Sequence, residues 1–238
     1  MPQTAPSDAP GIYSGGSSLM KVLITAGPTR EALDPMRYIS NRSSGKMGYA
    51  LAEAAVKAGH ETVLVSGPCS LTPPEGLAKF VGVISAAEMA EAVKAEFQTA
   101  DAAVMCAAVA DYRPKQFSTS KIKKNDETLI LELERTEDIL ASLGSMKKPG
   151  QLLIGFAAET DDMEKNALGK LQRKNLDWIA ANRLDLPGQG AESNTNTVVL
   201  YSVKGEQITI PLASKRDVAE AILNVTGVNK PCKGNSII

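Results

Sequence analysis

The chain alternates short apolar runs with longer segments of helical periodicity, and no other feature limits its fold as strongly. This alternation is typical of βαβ units, in which helices cover a parallel sheet. We therefore predict an α/β fold with a mostly parallel sheet. The predicted strands are 21–26, 61–66, 80–85, 102–108, 152–157, 177–181 and 197–203, and the predicted helices are 46–58, 86–98, 136–146, 161–175 and 214–225.

The two ends of the chain lack this pattern. Residues 1–19 are rich in Pro, Ser and Gly and show no periodicity, and residues 227–238 are similar. We expect a disordered leader and a flexible tail on either side of residues 20–226. A total of 238 residues fits one α/β domain, and no linker divides the middle of the chain.

Charge and apolar content disfavour two classes of partner. Lys and Arg number 26 against 27 Asp and Glu, so no basic excess is available to neutralise a nucleic-acid backbone. No apolar run approaches the roughly 20 residues that a membrane span needs. The cysteines, Cys69, Cys106 and Cys232, lie far apart without metal-ligand spacing, which indicates free thiols in a reducing cytoplasm.

Two segments interrupt the alternation. Residues 27–44 form a connection much longer than the ~2–6 residues usual between a strand and a helix. Residues 111–133 contain Asn125-Asp126 between two short strand patterns, which predicts a flap hairpin projecting from the sheet. Open α/β sheets bind ligands at the carboxyl ends of their strands, so we expect both segments to border a site.

A Gly/Ser-rich turn, Ser43-Ser44-Gly45-Lys46, leads into the first predicted helix. Backbone N–H groups at a helix start, with the positive end of the dipole, suit a phosphate. The alternative is that Ser43 or Ser44 only caps the helix. The turn is not a P-loop, because Ser40 stands where G-x-x-x-x-G-K requires the first Gly.

An NAD(P)-dependent oxidoreductase is the alternative on this type of sheet. That function requires G-x-G-x-x-G after the first strand and an acidic residue that ends the second. Here Gly27-Pro28-Thr29 follows the first strand, and the second ends at Ser66-Gly67. The pattern therefore disfavours a nicotinamide site.

Several cationic side chains are candidates for anion binding. Lys121, Lys123 and Lys124 lie on the predicted flap, and Lys170 and Lys174 lie four residues apart on a helix. Like charges at that spacing repel each other by a few tenths of a kcal/mol, roughly, so a bound anion would explain the pair. The alternative, favoured when the pair is considered alone, is a solvated helix face.

Two other polar residues have two interpretations each, and the single histidine has one. Asp111 follows an apolar strand and either binds a cation or forms a turn. Asn41 either donates to a developing oxyanion or belongs to a turn. His60, the single histidine, lies between a helix and a strand and is expected at the surface. No Ser-His-Asp set can be assembled around it.

Six strings together resemble one family, the phosphopantothenoylcysteine synthetases, also called phosphopantothenate–cysteine ligases. In many bacteria this synthetase is the C-terminal half of a bifunctional protein with a flavin-dependent decarboxylase half. We expect that decarboxylase to be a separate partner or a removed domain. The strings are KVLITAGPTRE (21–31), RYISNRSSGKMG (37–48), CAAVADYRP (106–114), KIKK (121–124), GFAAET (155–160) and RKNLDWIAAN (173–182).

The resemblance implies a Rossmann-like, doubly wound sheet in a homodimer, with the nucleotide site near the subunit interface. It also implies a two-step reaction. The carboxylate of phosphopantothenate reacts with CTP to give an acyl cytidylate and pyrophosphate, and cysteine then displaces CMP. The bacterial pattern of the strings favours CTP over ATP, and Mg²⁺ is the expected divalent cation.

The resemblance also assigns roles to residues. It implies that Asn41 holds the acyl carbonyl and that Lys121 supports activation. The string 136–139 departs from the family's Asn-Pro-Asp-Ile, because Thr and Glu occupy its first two positions. The remaining assignments are Ser44 and Gly45 for phosphate, Met105, Cys106 and Ala107 for cytosine, Asp111 for nucleotide and metal, and Asp138, Ile139, Phe156, Lys170 and Lys174 for further nucleotide contacts.

Overall fold

The structure, a computed structural model, describes residues 19–123, 128–159, 162–183 and 192–229. Secondary structure accounts for most of this part of the chain. The strands are β1 (Lys21–Ala26), β2 (Arg30–Ala32), β3 (Tyr38–Ser40), β4 (Glu61–Ser66), β5 (Lys79–Gly82), β6 (Ala102–Met105), β7 (Tyr112–Pro114), β8 (Leu133–Arg135), β9 (Leu152–Glu159), β10 (Trp178–Arg183), β11 (Thr195–Ser202) and β12 (Gln207–Ser214). The helices are α1 (Lys46–Lys57), α2 (Ala86–Phe97), α3 (Ile139–Met146), α4 (Met163–Arg173) and α5 (Lys215–Thr226).

Eight strands form the main sheet in the order β12-β11-β10-β9-β6-β1-β4-β5. The six strands from β10 to β5 run parallel to one another. Strands β11 and β12 extend the sheet beyond β10 as an antiparallel hairpin. The chain runs outward from β1 to β5 and then crosses back to β6, so the direction of strand addition reverses between β1 and β6. The predicted mostly parallel, doubly wound sheet is confirmed.

Alternating side chains on the strands supply two cores, one on each face of the sheet. In β1, Val22 and Ile24 belong to the core beneath α1 and α5, whereas Leu23 belongs to the core beneath α2, α3 and α4. All three are fully buried, and each contributes roughly 1.5–3 kcal/mol relative to exposure. The period of two along each strand thus fixes which helices lie on which face.

Helix α1 packs very closely on β1. A Cβ added at Gly48 would lie 2.5 Å from the Cβ of Ala26 and 2.8 Å from the carbonyl oxygen of Thr25. Only glycine permits this approach, because any side chain would push the helix away from the strand. The first turn of α1 is thereby held against the carboxyl end of β1.

The long connection after β1 contains a small hairpin, β2–β3, that the sequence patterns did not predict. Its turn is organised by Asp34, which is 2% exposed and accepts hydrogen bonds from the N–H groups of Met36 (2.8 Å) and Arg37 (2.9 Å). The Arg37 guanidinium also donates to this carboxylate and holds the pKa of Asp34 well below its usual range. The turn is thus organised around the buried carboxylate of Asp34 and not around apolar side chains.

The base of the predicted flap is a two-stranded ladder, β7–β8, which confirms the hairpin. Its expected turn at Asn125-Asp126 lies outside the described residues. The segment beside Lys121 is attached to the β2–β3 turn: the Ile122 N–H donates to Asp34 Oδ2 (3.1 Å), and Arg37 donates to the Ile122 carbonyl (2.8 Å). These hydrogen bonds join the flap at Ile122 to the β2–β3 turn.

The surface position expected for His60 is wrong. His60 is 4% exposed, accepts the Met20 N–H on Nδ1 (3.3 Å) and contacts Asn229 Oδ1 through Nε2 (3.0 Å). Val228 is fully buried, so packing continues beyond residue 226. The expected leader and the rest of the expected tail fall outside the described residues. No described helix is long and apolar enough to cross a membrane.

Candidate active site

A cavity of about 870 Å³ lies at the carboxyl ends of β1, β6 and β9, where the strand order reverses. Two opposite walls can be distinguished. The α1–α5 wall is formed by Lys46, Phe156, Asn182, Asn196 and Lys215, and the α3–α4 wall by Asp138, Ile139, Lys170 and Lys174. Between them lie the turn that precedes α1 and the segment that follows β6. In open α/β sheets this is the usual place for a ligand.

The turn before α1 offers unused backbone donors. Gly45 is the N-cap, with φ +77°, and has no side chain that could cap the helix. Ser43 instead accepts the Gly45 N–H (3.3 Å). Ser43 therefore does not cap the helix, and the alternative that Ser44 does so stays open. The first N–H groups of a helix have no intrahelical acceptor, so they can bind an anion at the positive end of the dipole.

The segment after β6 is held from two sides. Thr25 Oγ1 accepts the N–H groups of Cys106 (3.0 Å) and Ala107 (3.1 Å). From the other side, the Asn41 amide donates to the carbonyl oxygens of Ala108 (3.3 Å) and Val109 (2.9 Å). Asn41 thus links the turn before α1 to the segment assigned to cytosine. Its NH₂ group is engaged with backbone in this state.

Cys106 lines the cavity, and its surroundings disfavour the thiolate form. Burial raises the pKa of its thiol to about 12, against the opposing charge of Lys215. The thiolate is the reactive form of cysteine, so the protonated thiol is inert at neutral pH. Cys106 and Cys69 are both free thiols.

The α3–α4 wall pairs cation with carboxylate. Asp138 caps α3 by accepting the Ala141 N–H (3.0 Å), and Lys174 Nζ lies 2.9 Å from its Oδ2. Burial alone would raise the pKa of Asp138, but the Lys174 and Ala141 hydrogen bonds and the charge of Lys170 lower it. Lys170 and Lys174 both line the cavity, so the lysine pair is not a purely solvated face.

The α1–α5 wall was missed by the sequence patterns. Lys46 Nζ donates to the carbonyl oxygen of Glu192 (2.9 Å) and to Asn194 Oδ1 (2.7 Å). Lys215 is 6% exposed; desolvation lowers its pKa, and the charge of Lys46 lowers it further. One signal was present in the sequence: a lysine at the first position of a helix opposes the dipole.

Two predicted residues, Ser44 and Lys121, are absent from the described lining of the cavity. Their assignments remain predictions. Asp111 does line it, but the described residues contain no group of three or more His, Cys, Asp or Glu side chains that could hold a metal by themselves. A metal here would need ligands from the substrate.

The dinucleotide alternative fails at the turn after β1. Gly27, Pro28 and Thr29 are buried, and Pro28 pairs with Ala108 in an isolated bridge. A dinucleotide pyrophosphate binds at this turn in the nicotinamide enzymes. The turn after β1 is therefore filled by protein, and the cavity lies beside the start of α1 instead.

The fold and the cavity define a doubly wound α/β protein with a cationic ligand site at its switch point. The chain belongs to the family described as the DNA/pantothenate metabolism flavoprotein C-terminal domain, whose model matches residues 18–227. This agrees with the resemblance found in the six strings.

Known proteins of this family are similar to the chain over nearly its whole length. It is 52% identical over 202 residues to the Coenzyme A biosynthesis bifunctional protein CoaBC of Bacillus subtilis (strain 168), covering 85% of this chain and 50% of that protein. Against the same-named protein of Vibrio cholerae, identity is 47% over 207 residues, covering 86% and 51%. A crystal structure of a CoaBC C-terminal domain matches with TM-score 0.76 at 46% identity, covering 90% of this chain and 96% of that chain. The chain thus spans about half the length of the curated relatives it matches.

Proposed function

We propose that this chain forms phosphopantothenoylcysteine from phosphopantothenate and cysteine, with CTP as co-substrate, in the coenzyme A biosynthesis of the cytoplasm. One observation carries the proposal. Of the 13 residues that the resemblance assigns to the site, 11 line a single cavity, although they are spread along the chain from Asn41 to Lys174. The similarity to CoaBC proteins supports the same reaction class.

In the first step, a carboxylate oxygen of phosphopantothenate attacks the α-phosphorus of CTP. The bond from that phosphorus to the bridging oxygen breaks, and its electron pair leaves with pyrophosphate. The N–H groups at Gly45 and the ammonium groups of Lys170 and Lys174 suit the negative charge of the nucleotide.

In the second step, the amine of cysteine attacks the acyl carbonyl carbon. A C–N bond forms, the C–O bond to CMP breaks with its electron pair, and the amine loses a proton to water. Asn41 is the residue proposed to hold the carbonyl oxygen. Its NH₂ group must exchange one backbone acceptor, Ala108 or Val109, for that oxygen.

Mg²⁺ fits the donors present. Magnesium is commonly bound by one or two carboxylates together with substrate phosphates, and Asp111 supplies a carboxylate at the cavity. When bound, the ion screens the charge of the triphosphate. Asp111 would be the residue of this chain that holds the ion.

A homodimer is part of the proposal. Large apolar side chains are exposed on the two small hairpins and the flap, among them Tyr38 (49%), Phe117 (55%) and Leu133 (42%). Grouped exposed apolar residues are typical of protein interfaces. Sedimentation velocity tests this: a monomer at micromolar concentration contradicts the dimer without affecting the reaction.

The decisive assay supplies the purified chain with phosphopantothenate, cysteine, Mg²⁺ and either CTP or ATP. We expect pyrophosphate release and thiol product that require phosphopantothenate, with ATP much poorer than CTP. Equal turnover with ATP contradicts the CTP assignment alone. Reduction of NAD(P) by the protein, without ligation, contradicts the whole proposal.

A further inference from the structure

The α1–α5 wall contains buried polar groups that the proposed roles leave unused. Lys215 is 6% exposed and Asn196 is 4% exposed, and both line the cavity beside Lys46. Oδ1 of Asn196 accepts the Thr197 N–H (3.1 Å), whereas its NH₂ group has no hydrogen-bond partner among the residues that the structure describes. Buried donors of this kind are normally satisfied, so the amide indicates a ligand.

The strand geometry directs Asn196 at the cavity. Asn196, Val198 and Leu200 form one buried row along β11, and the last two belong to the apolar core beneath α1 and α5. The pairing of β11 with β12 shifts register between Asn196 and Val198. Such irregularities re-aim side chains near functional sites. An amide therefore replaces an apolar residue where the row reaches the cavity.

Two lysines converge on the same place from two helices. Lys46 Nζ donates to Asn194 Oδ1 (2.7 Å), and the Lys215 N–H donates to the Asn194 carbonyl oxygen (3.0 Å). Each lysine occupies the first position of its helix, where the dipole disfavours a cation. Two ammonium groups at two helix starts suit an anion with more than one negative charge.

We propose that Lys215, with Lys46 and Asn196, binds the β- and γ-phosphates of the nucleotide, which leave together as pyrophosphate. The inference rests on the proposed function and adds residues to it. The turn at Gly45 directly precedes Lys46, so a triphosphate held by the turn continues onto this wall. The negative charge that develops on the leaving pyrophosphate then lies beside the ammonium groups of Lys46 and Lys215.

Calorimetric titration of the full chain tests the site without turnover. Inorganic pyrophosphate, CMP and phosphopantothenate are each titrated into the wild type, Lys215→Met and Arg216→Met. Arg216 is the matched control, because it is the next residue of α5 but pairs with Glu53 at the surface. We expect Lys215→Met to weaken pyrophosphate binding about 10- to 100-fold, as for the loss of a charged hydrogen bond. CMP and phosphopantothenate should bind unchanged, and Arg216→Met should resemble the wild type.

Three results would overturn the inference: no measurable binding of pyrophosphate to the wild type, equal weakening by Arg216→Met, or weakening of phosphopantothenate alone. Circular dichroism checks folding, and Lys215→Gln replaces Lys215→Met if the latter does not fold. If neither folds, Lys46→Met decides, since Lys46 lies outside the core and unchanged pyrophosphate affinity there contradicts the site.

The two proposals fail separately. Ligation with CTP together with unchanged pyrophosphate affinity in Lys215→Met removes only the phosphate site. Loss of pyrophosphate affinity in Lys215→Met, with no ligation by the wild type, supports the phosphate site and removes the proposed reaction.

Discussion

The α3–α4 wall and the α1–α5 wall each carry two lysines, but Lys174 on the first and Lys46 on the second have different kinds of partner. On the α3–α4 wall, Lys174 is bonded to the carboxylate of Asp138. On the α1–α5 wall, Lys46 is held by uncharged oxygens, and its charge lowers the pKa of the desolvated Lys215. The α3–α4 wall thus places a negative charge beside a lysine, whereas the partners of Lys46 on the α1–α5 wall carry no charge.

This difference indicates a division of labour. Because a paired cation has its geometry fixed before a ligand arrives, the α3–α4 wall suits the orientation of a nucleoside monophosphate, including its single phosphate group. Because the positive charges of Lys46 and Lys215 repel each other, a multiply charged anion would stabilise the α1–α5 wall more than a singly charged one. Four experiments can break or sharpen this comparison.

The largest effect is expected at Asn41, where the two walls meet. In Asn41→Asp, a carboxylate would face the Ala108 and Val109 carbonyl oxygens and repel the oxyanion formed when cysteine attacks. Ligation should slow by roughly 10²–10³-fold while the first step persists. Rapid-quench analysis should show acyl cytidylate accumulating in Asn41→Asp and absent in Lys121→Gln. The reverse pattern would mean that the two roles are exchanged.

A smaller effect distinguishes the helices behind the walls. Gly48→Ala in α1 places a methyl group against Ala26 and Thr25 and should destabilise the protein by about 1–3 kcal/mol. Gly169→Ala in α4 is the matched control: its nearest contact is the flexible end of Arg173, so better helix propensity should stabilise by up to about 1 kcal/mol. Urea denaturation measures both. Equal destabilisation would show that α1 is not packed more tightly than α4.

A third experiment compares ligands. Lys174→Met removes the partner of Asp138 and should weaken CMP binding about 10-fold, with pyrophosphate affinity unchanged. Calorimetry on the same preparation measures both affinities. A loss of pyrophosphate affinity as large as the loss for CMP would contradict the division between the walls.

The smallest effect is expected from acid. Asp138 has a lowered pKa in the folded protein, so its contribution is present above its unfolded-state pKa and is lost as pH falls through the folded-state pKa. Its side chain is 52% exposed, so screening keeps the contribution below about 1 kcal/mol. Asp138→Asn keeps a capping side chain without the charge. Tm should fall less steeply with acid in this variant, and an identical slope would show that the pair contributes nothing.

The sequence predicts the parallel core and the α3–α4 wall better than the α1–α5 wall, for a physical reason. The apolar run of β1 and the lysines four residues apart on α4 are local signals, and both appear in the structure. β12 was missed because it is an edge strand that contains Pro211, which cannot donate to a ladder. The place of Lys215 depends on that hairpin and on packing between α5 and α1, which no local pattern records.

The same hairpin sets the order in which a newly made chain can become competent. Lys46 and Lys215 are 169 positions apart, and a ribosome adding ~5–20 residues per second needs roughly ten to thirty seconds to pass from one to the other. Throughout that interval the emerging polypeptide contains Lys46 but not Lys215, so its α1–α5 wall is incomplete. A nucleotide would therefore bind the incomplete chain weakly. It would stabilise the fold only after α5 has packed against α1.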